Sequence, residues 1–123
     1  LLFTLWRDLN RSKWEGGGRK WFKSGDEKTH VKFVGEIKNG APNGMGTSTY
    51  PDGSKYEGEW KEGVETGQGT YIFGKGDVRM IRSNVGFKGH KFVGELKEGK
   101  FWNGIYSYGS GKKDSKYVNG EKQ

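Results

Sequence analysis

Three glutamates recur in one local setting along the chain, and a repeated carboxylate is the first feature that could do chemistry. Each follows a glycine and stands two residues before a lysine: Glu36, Glu59 and Glu95. General acid catalysis needs a carboxylate whose pKa is raised by burial. The alternation around each glutamate instead places it on the solvated face of a strand, where a ladder of charges between strands accounts for it. Catalysis is therefore not predicted.

The glycine pairs and the histidines offer little for a cofactor. The Gly-x-Gly pairs at 44/46 and 67/69 do not open a helix, and no Gly-Lys-Ser/Thr follows them, so the mechanism of a phosphate-binding loop is absent. His30 and His90 stand far apart without a pattern of metal ligands, and the chain has no cysteine. The sequence predicts no metal site, no cofactor and no enzymatic activity.

A group of basic residues in the second half of the chain is the candidate patch for an anionic ligand. Its members are Arg79, Arg82, Lys88 and Lys91. Cations near a membrane surface contribute about 1 kcal/mol each toward binding anionic lipid headgroups. Binding to nucleic acid phosphates is less favoured than binding to lipid. The dispersed acidic residues Glu95 and Glu98 count against a strong patch of either kind. The remaining interpretation is that these residues only keep the chain soluble or contact a protein.

Composition leaves the fold open. A net charge of +7 and few aliphatic residues are typical of disordered chains. Seven Phe, six Tyr and five Trp favour a folded chain, because each ring gains by burying a large apolar surface. The length suits one domain at most, and no apolar run approaches the roughly 18 residues of a membrane span. The compartment stays open, with a cytoplasmic or peripheral membrane location favoured and export not excluded.

An internal repeat resolves the question of the fold. The frame aromatic-x-Gly-Glu-apolar-Lys-x-Gly occurs at residues 33–40, 56–63 and 92–99. In Tyr56-x-Gly58-x-Trp60 the two rings and the glycine share one face of a strand, since side chains alternate with period two. Small and large residues then interleave, with each glycine making room for a ring from the neighbouring strand. Residues 61–66 are predicted to form the loop of a hairpin.

These residues resemble the MORN (membrane occupation and recognition nexus) repeat. Residues 56–76 carry its pattern of aromatic residues and glycines most completely, and residues 33–55 carry it nearly as well. The resemblance implies an all-β fold, an elongated single-layer antiparallel β-meander built of repeated β-hairpins. It also implies a role in binding rather than catalysis.

The array is predicted to be uneven in quality. Residues 1–32 are interpreted as an N-terminal cap with a partial degenerate repeat, and residues 33–123 as the array itself. The units of the array are 33–55, 56–78, a degenerate 79–91, and 92–120. Residues 1–13 fit both a helical face and strand alternation, and we favour a strand or an irregular cap because repeat arrays need terminal caps.

Three binding functions remain. The first is a scaffold that docks another protein, or a second copy as a homodimer, through its aromatic sheet face; the candidate residues are Tyr56, Trp60, Tyr71 and Trp102. The second is a peripheral module that binds anionic phospholipid headgroups of a membrane through its basic ends. The third is carbohydrate binding by exposed aromatic rings. Fold alone does not choose among them.

Overall fold

The chain forms one open antiparallel sheet in which every strand pairs with its neighbours in sequence. The computed structural model describes residues 2–8, 21–74, 90–108 and 113–123. Strand order in the sheet follows chain order from β1 to β9. The strands are β1 (Phe3–Asp8), β2 (His30–Lys38), β3 (Ala41–Thr49), β4 (Lys55–Lys61), β5 (Val64–Ile72), β6 (Lys91–Lys97), β7 (Lys100–Ser107), β8 (Ser115–Val118) and β9 (Glu121–Lys122). The predicted β-meander is confirmed.

Tight two-residue turns connect the strands within each hairpin. Both residues of each turn have positive φ, as a type I′ hairpin turn requires. The turns are Asn39-Gly40, Glu62-Gly63, Glu98-Gly99 and Asn119-Gly120. The predicted six-residue loop over 61–66 is wrong, because β5 begins at Val64, directly after the Glu62-Gly63 turn.

Successive hairpin turns are joined to one another through backbone hydrogen bonds. The Gly63 N–H donates to the Pro42 carbonyl oxygen at 2.8 Å, and the Gly99 N–H donates to the Glu65 carbonyl oxygen at 2.9 Å. The Gly120 N–H makes the corresponding bond to the Trp102 carbonyl oxygen at 2.9 Å. Each turn is therefore supported by the hairpin before it, which fixes the spacing of the repeats.

One face of the sheet buries an aromatic core, which we call the aromatic face. The strand alternation predicts this, and β4 shows it directly, with Tyr56, Gly58 and Trp60 buried between exposed residues. The buried core residues are Leu5, Phe33, Tyr56, Trp60, Tyr71, Phe73, Phe92, Leu96 and Tyr106. Because each ring packs against rings from adjacent strands, a single layer excludes water from this face without a second sheet.

A row of paired glycines runs across the aromatic face and makes room for the rings. The row continues across β2 to β7 through Gly35, Gly46, Gly58, Gly69, Gly94 and Gly104. A Cβ at Gly69 would lie 2.5 Å from the Tyr56 ring, and one at Gly104 would lie 2.7 Å from the Phe92 ring. The predicted interleaving of small and large residues is thus present.

The start of the chain adds a strand and a covering ring. β1 pairs with β2, which confirms a strand in the first residues. On its other edge, Trp6 exchanges two backbone hydrogen bonds with Phe22, of 2.7 and 2.8 Å. Trp21 lies over the aromatic face with its ring 6.0 Å from Phe33 and 5.9 Å from Trp60. This segment therefore extends the sheet and covers part of its core.

Three of the predicted array units contain residues outside the described ranges: 75–78 of unit 56–78, 79–89 of unit 79–91, and 109–112 of unit 92–120. The predicted limits of the units therefore stay predictions. The boundary between residues 32 and 33 stays a prediction. Within the described ranges, no helix has the length and apolar character needed to cross a membrane.

Candidate interaction surface

The predicted aromatic interaction residues are mostly core residues. Tyr56, Trp60 and Tyr71 are 0%, 3% and 6% exposed. Their rings pack against other rings of the core. The ring centres of Tyr56 and Trp60 lie 5.6 Å apart in an edge-to-face pair, and those of Tyr71 and Phe73 lie 4.8 Å apart in a tilted pair. These rings stabilise the sheet, and their use by a partner stays a prediction.

Trp102, the fourth predicted residue, is half-buried at the side of β7. The Lys97 ammonium lies 4.6 Å from the centre of its ring, a cation–π contact. The turn at Gly120 lies against the ring as well, so that a Cβ there would approach it to 2.7 Å. The side chain thus joins β6, β7 and the last hairpin.

Each repeated glutamate accepts a hydrogen bond from the neighbouring strand, and we call this contact the clamp. Glu36 Oε1 accepts a hydrogen bond from the Met45 N–H at 2.7 Å, and Glu59 Oε2 accepts one from the Gln68 N–H. In the third copy Glu95 Oε1 accepts from Asn103 Nδ2 at 2.8 Å, so an amide side chain replaces the backbone donor. A carboxylate bound to N–H groups holds two strands together where the ladder is irregular. The sequence interpretation as a charge ladder missed this contact.

The clamp also explains the first glycine of each Gly-x-Gly pair. The ladder shifts register at each clamp, between Gly35 and Ile37 and again between Gly58 and Trp60. Gly67, with φ of +100°, lies so close to the Glu59 carboxylate that a Cβ would overlap it. The left-handed backbone and the close approach both favour glycine here.

The Tyr56 hydroxyl makes a hydrogen bond at the same register shift, between Gly58 and Trp60, from the aromatic face. It donates to the Glu59 carbonyl oxygen at 2.9 Å. Burial raises the pKa of the Tyr56 phenol, and the negative charges of Glu65 and Glu59 raise it further. The phenol therefore stays protonated and remains a donor throughout the physiological pH range.

We expect Glu59→Ala to lower the free energy of unfolding by about 1 kcal/mol, because the Gln68 N–H loses a charged acceptor that is partly open to water. Urea denaturation measures this directly. The control is Glu57→Ala, which removes an exposed carboxylate two residues away that pairs with Lys55 at 2.8 Å; exposed pairs contribute little. Equal losses in the two variants would contradict the clamp.

The opposite face of the sheet, which we call the outward face, presents a central row of side chains that are paired from strand to strand. The strand registers align one residue from each of β1 to β8: Thr4, Val34, Thr47, Glu57, Thr70, Val93, Ile105 and Lys116. Val34, Val93 and Ile105 are exposed, and so are Met45 and Ile72 on the same face. Large apolar side chains thus remain in contact with water.

Charged rows flank the central row on both sides. In β2, β4 and β6 a lysine stands two residues before the central-row residue, and a clamp glutamate stands two residues after it. The lysine row is Lys32, Lys55 and Lys91, and the glutamate row is Glu36, Glu59 and Glu95. Lys32 lies 3.2 Å from Glu27, whereas Lys91 is exposed at the start of β6. These three rows therefore run from basic through apolar to acidic, and exposed lysines follow two residues beyond the glutamates at Lys38, Lys61 and Lys97.

The predicted anionic-ligand patch is described only at Lys91. Arg79, Arg82 and Lys88 lie outside the described residues, so the patch stays a prediction. Lys91 instead belongs to the lysine row of the outward face. The sequence interpretation treated this face as plain solvated surface, although the alternation of Lys32, Val34 and Glu36 contains the three rows.

Two clefts lie side by side along the hairpin turns. Their volumes are about 520 and 440 Å³, and both are lined by Lys61, Glu62 and Thr66. Lysines and glutamates alternate around them, so neither concentrates one sign of charge. In the ranges that the structure describes, no three His, Asp or Glu side chains are grouped so that they could hold a metal ion.

Hairpins with two-residue turns, a glycine row and a single aromatic core face define an open-sheet β-repeat protein. The family model of the MORN repeat matches residues 33–55 and 56–78. These two segments, which contain β2–β3 and β4–β5, are MORN repeats. No curated protein matches the chain. MORN repeats generally serve as scaffolds for protein or membrane interaction rather than as enzymes.

Beyond the matched segments, the hairpin of β6 and β7 repeats the same geometry. Gly94 aligns with the glycine row, Glu95 occupies the clamp position, and Glu98-Gly99 forms the two-residue turn. This hairpin departs from the repeat pattern where Asn103 supplies the donor to the clamp. The sheet is thus continuous while the sequence pattern changes.

Proposed function

We propose that this chain is a non-enzymatic scaffold that docks a protein partner through its outward face. The observation that carries the proposal is the difference in exposure between the two faces of the sheet. The aromatic face is occupied by its own rings, whereas the outward face keeps exposed apolar side chains in register across the sheet. Several exposed apolar side chains on one face, bordered by charged residues, are typical of an interaction site.

The outward face also suits a protein better than a small ligand. Its central row crosses the sheet from β1 to β8, with one residue from each strand. Extended surfaces of this kind are what repeat arrays offer, while small molecules bind in concave pockets. Docking through the aromatic face, which the sequence favours, would require rings such as Tyr56 and Trp60 to leave their core contacts.

A photo-crosslinking experiment tests this proposal. A benzophenone amino acid replaces Ile105 in the central row, and a matched variant carries it at Lys28, which is exposed in the turn before β2. After irradiation in a cell extract, we expect discrete protein adducts from position 105 alone. Excess unlabelled wild-type chain should compete away adducts to a different protein, and excess Val93→Asp should not, whereas an adduct to a second copy of this chain would persist with wild-type chain present. The same adducts from both positions would contradict a specific docking face.

Binding to a membrane is the competing outcome, and the lysine row, with Lys91 exposed, is the feature that favours it. Co-sedimentation with vesicles of phosphatidylcholine and phosphatidylserine, at low and at physiological salt, separates the two. Binding that falls steeply with salt, and that is lost when Lys32, Lys55 and Lys91 become Ala, would make the chain a membrane adaptor. We expect little binding at either salt.

A further inference from the structure

We infer that the partner of the outward face is a second copy of this chain, docked face to face about a two-fold axis that runs along the central row. This inference rests on the proposed function, since it takes the outward face as the docking surface. It adds the identity of the partner and the symmetry of the contact.

The arrangement of charge within single strands is the first argument. In β2, Lys32, Val34 and Glu36 follow one another on the outward face, so that a cation, an apolar residue and an anion lie in order along the strand. β6 repeats the order with Lys91, Val93 and Glu95. Since strands two apart in the sheet run in the same direction, these residues form parallel rows of opposite charge.

Symmetry is the second argument. Rotation by 180° about an axis along the central row reverses the strand direction of the second copy. Each lysine row then lies opposite a glutamate row, while the central row lies opposite itself. A two-fold axis parallel to the strands would instead place lysines against lysines. The face is thus complementary to itself in one orientation, as a dimer contact with two-fold symmetry requires.

The local chemistry is consistent with this contact. A carboxylate can accept about four hydrogen bonds, so Glu36 keeps capacity for a lysine beyond its bond to the Met45 N–H. The central row contains two charges: Lys116 lies in β8, beyond the contact across β1 to β7, whereas Glu57 would face its own copy. The Lys55 ammonium 2.8 Å from its carboxylate offsets that repulsion.

The size of the face is adequate for a dimer. With strands about 4.8 Å apart and rows about 7 Å apart, the three rows across β1 to β7 cover roughly 700 Å² per copy. Specific interfaces bury about 800 Å² per partner. We therefore expect a reversible dimer with the two sheets packed face to face about 10 Å apart.

Crosslinking from single cysteines tests the symmetry. The chain has no cysteine, and it offers two isoleucines on the outward face that match in exposure, Ile105 at 41% and Ile72 at 40%. Ile105 lies in the central row and would face its own copy. Ile72 pairs with Lys91 in the lysine row, so its copy would lie roughly 14 Å to the side.

With a short bismaleimide, Ile105→Cys should give a covalent dimer in high yield and Ile72→Cys should remain monomeric. Sedimentation equilibrium on the cysteine-free chain should show a dimer whose Kd rises about tenfold in Lys91→Glu, because the substitution changes two symmetric contacts from attraction to repulsion. Lys28→Glu, which has the same change of charge away from the face, should leave the Kd unchanged.

The outcomes separate this inference from the proposed function. A strict monomer, or equal crosslinking from the two cysteines, overturns the dimer. If position 105 nevertheless forms adducts with another protein in the photo-crosslinking experiment, the scaffold proposal stands. If position 105 crosslinks neither to a second copy nor to another protein, both the dimer and the scaffold proposal are wrong.

Discussion

Gly58→Ala should lower the free energy of unfolding by about 3 kcal/mol, because it forces a methyl group into the backbone of the next strand. A Cβ at Gly58 would lie 2.5 Å from the Gln68 carbonyl oxygen and 2.5 Å from the Gly69 Cα. Backbone atoms paired in the sheet cannot move aside as the end of a side chain can. Urea denaturation followed by tryptophan fluorescence measures the loss.

Gly40→Ala is the control for this prediction. Gly40 has φ of +77° in a hairpin turn, and a Cβ there would meet nothing within 4 Å. The substitution therefore tests the left-handed backbone alone, which costs an L-residue about 1 kcal/mol. A loss at Gly58 no larger than the loss at Gly40 would show that close approach does not determine the glycine row.

The sequence was sufficient to predict which face of each strand is buried, because burial in a sheet alternates with a period of two residues. Tyr56, Gly58 and Trp60 share the buried face as that period requires, and the same frame located β2 and β6. The glycine row also followed from the sequence, since an aromatic core in one layer needs space at fixed intervals. These features depend on local alternation, which a single strand already contains.

The turn lengths were missed for a physical reason. Glu62 has φ of +50°, a conformation that the common Asn-Gly turn signals but that a glutamate does not. The polar run after Gly63 therefore resembled a loop, although Val64 and Glu65 are buried in β5. Tertiary contacts between successive turns stabilise this backbone, and local sequence does not contain them.

The clamp and the outward face were missed because both depend on register. Glu59 and Gln68 lie on different strands, and only an irregular ladder brings the carboxylate to that N–H. Likewise, Val34 and Val93 belong to one row only when every intervening strand is aligned. Alternation predicts which residues point outward, but it does not show which of them lie side by side.

Trp60→Ala should destabilise the sheet by about 3 to 5 kcal/mol, enough to unfold much of the population of a domain of ordinary stability. The Trp60 ring lies 5.9 Å from Trp21, 5.0 Å from Phe33 and 5.6 Å from Tyr56, so its removal leaves a cavity bordered by three other rings. The indole N–H also loses its bond to the Gly46 carbonyl oxygen, which joins two repeats.

Trp102→Ala is the matched substitution, because it removes the same side chain from a half-buried site at the side of β7. We expect a loss of about 1 to 2 kcal/mol from its cation–π and turn contacts. Thermal and urea unfolding of the two variants provide the comparison. If Trp60→Ala remained as stable as wild type and lost only partner binding, Trp60 would be a binding residue, and the aromatic face would replace the outward face as the docking surface.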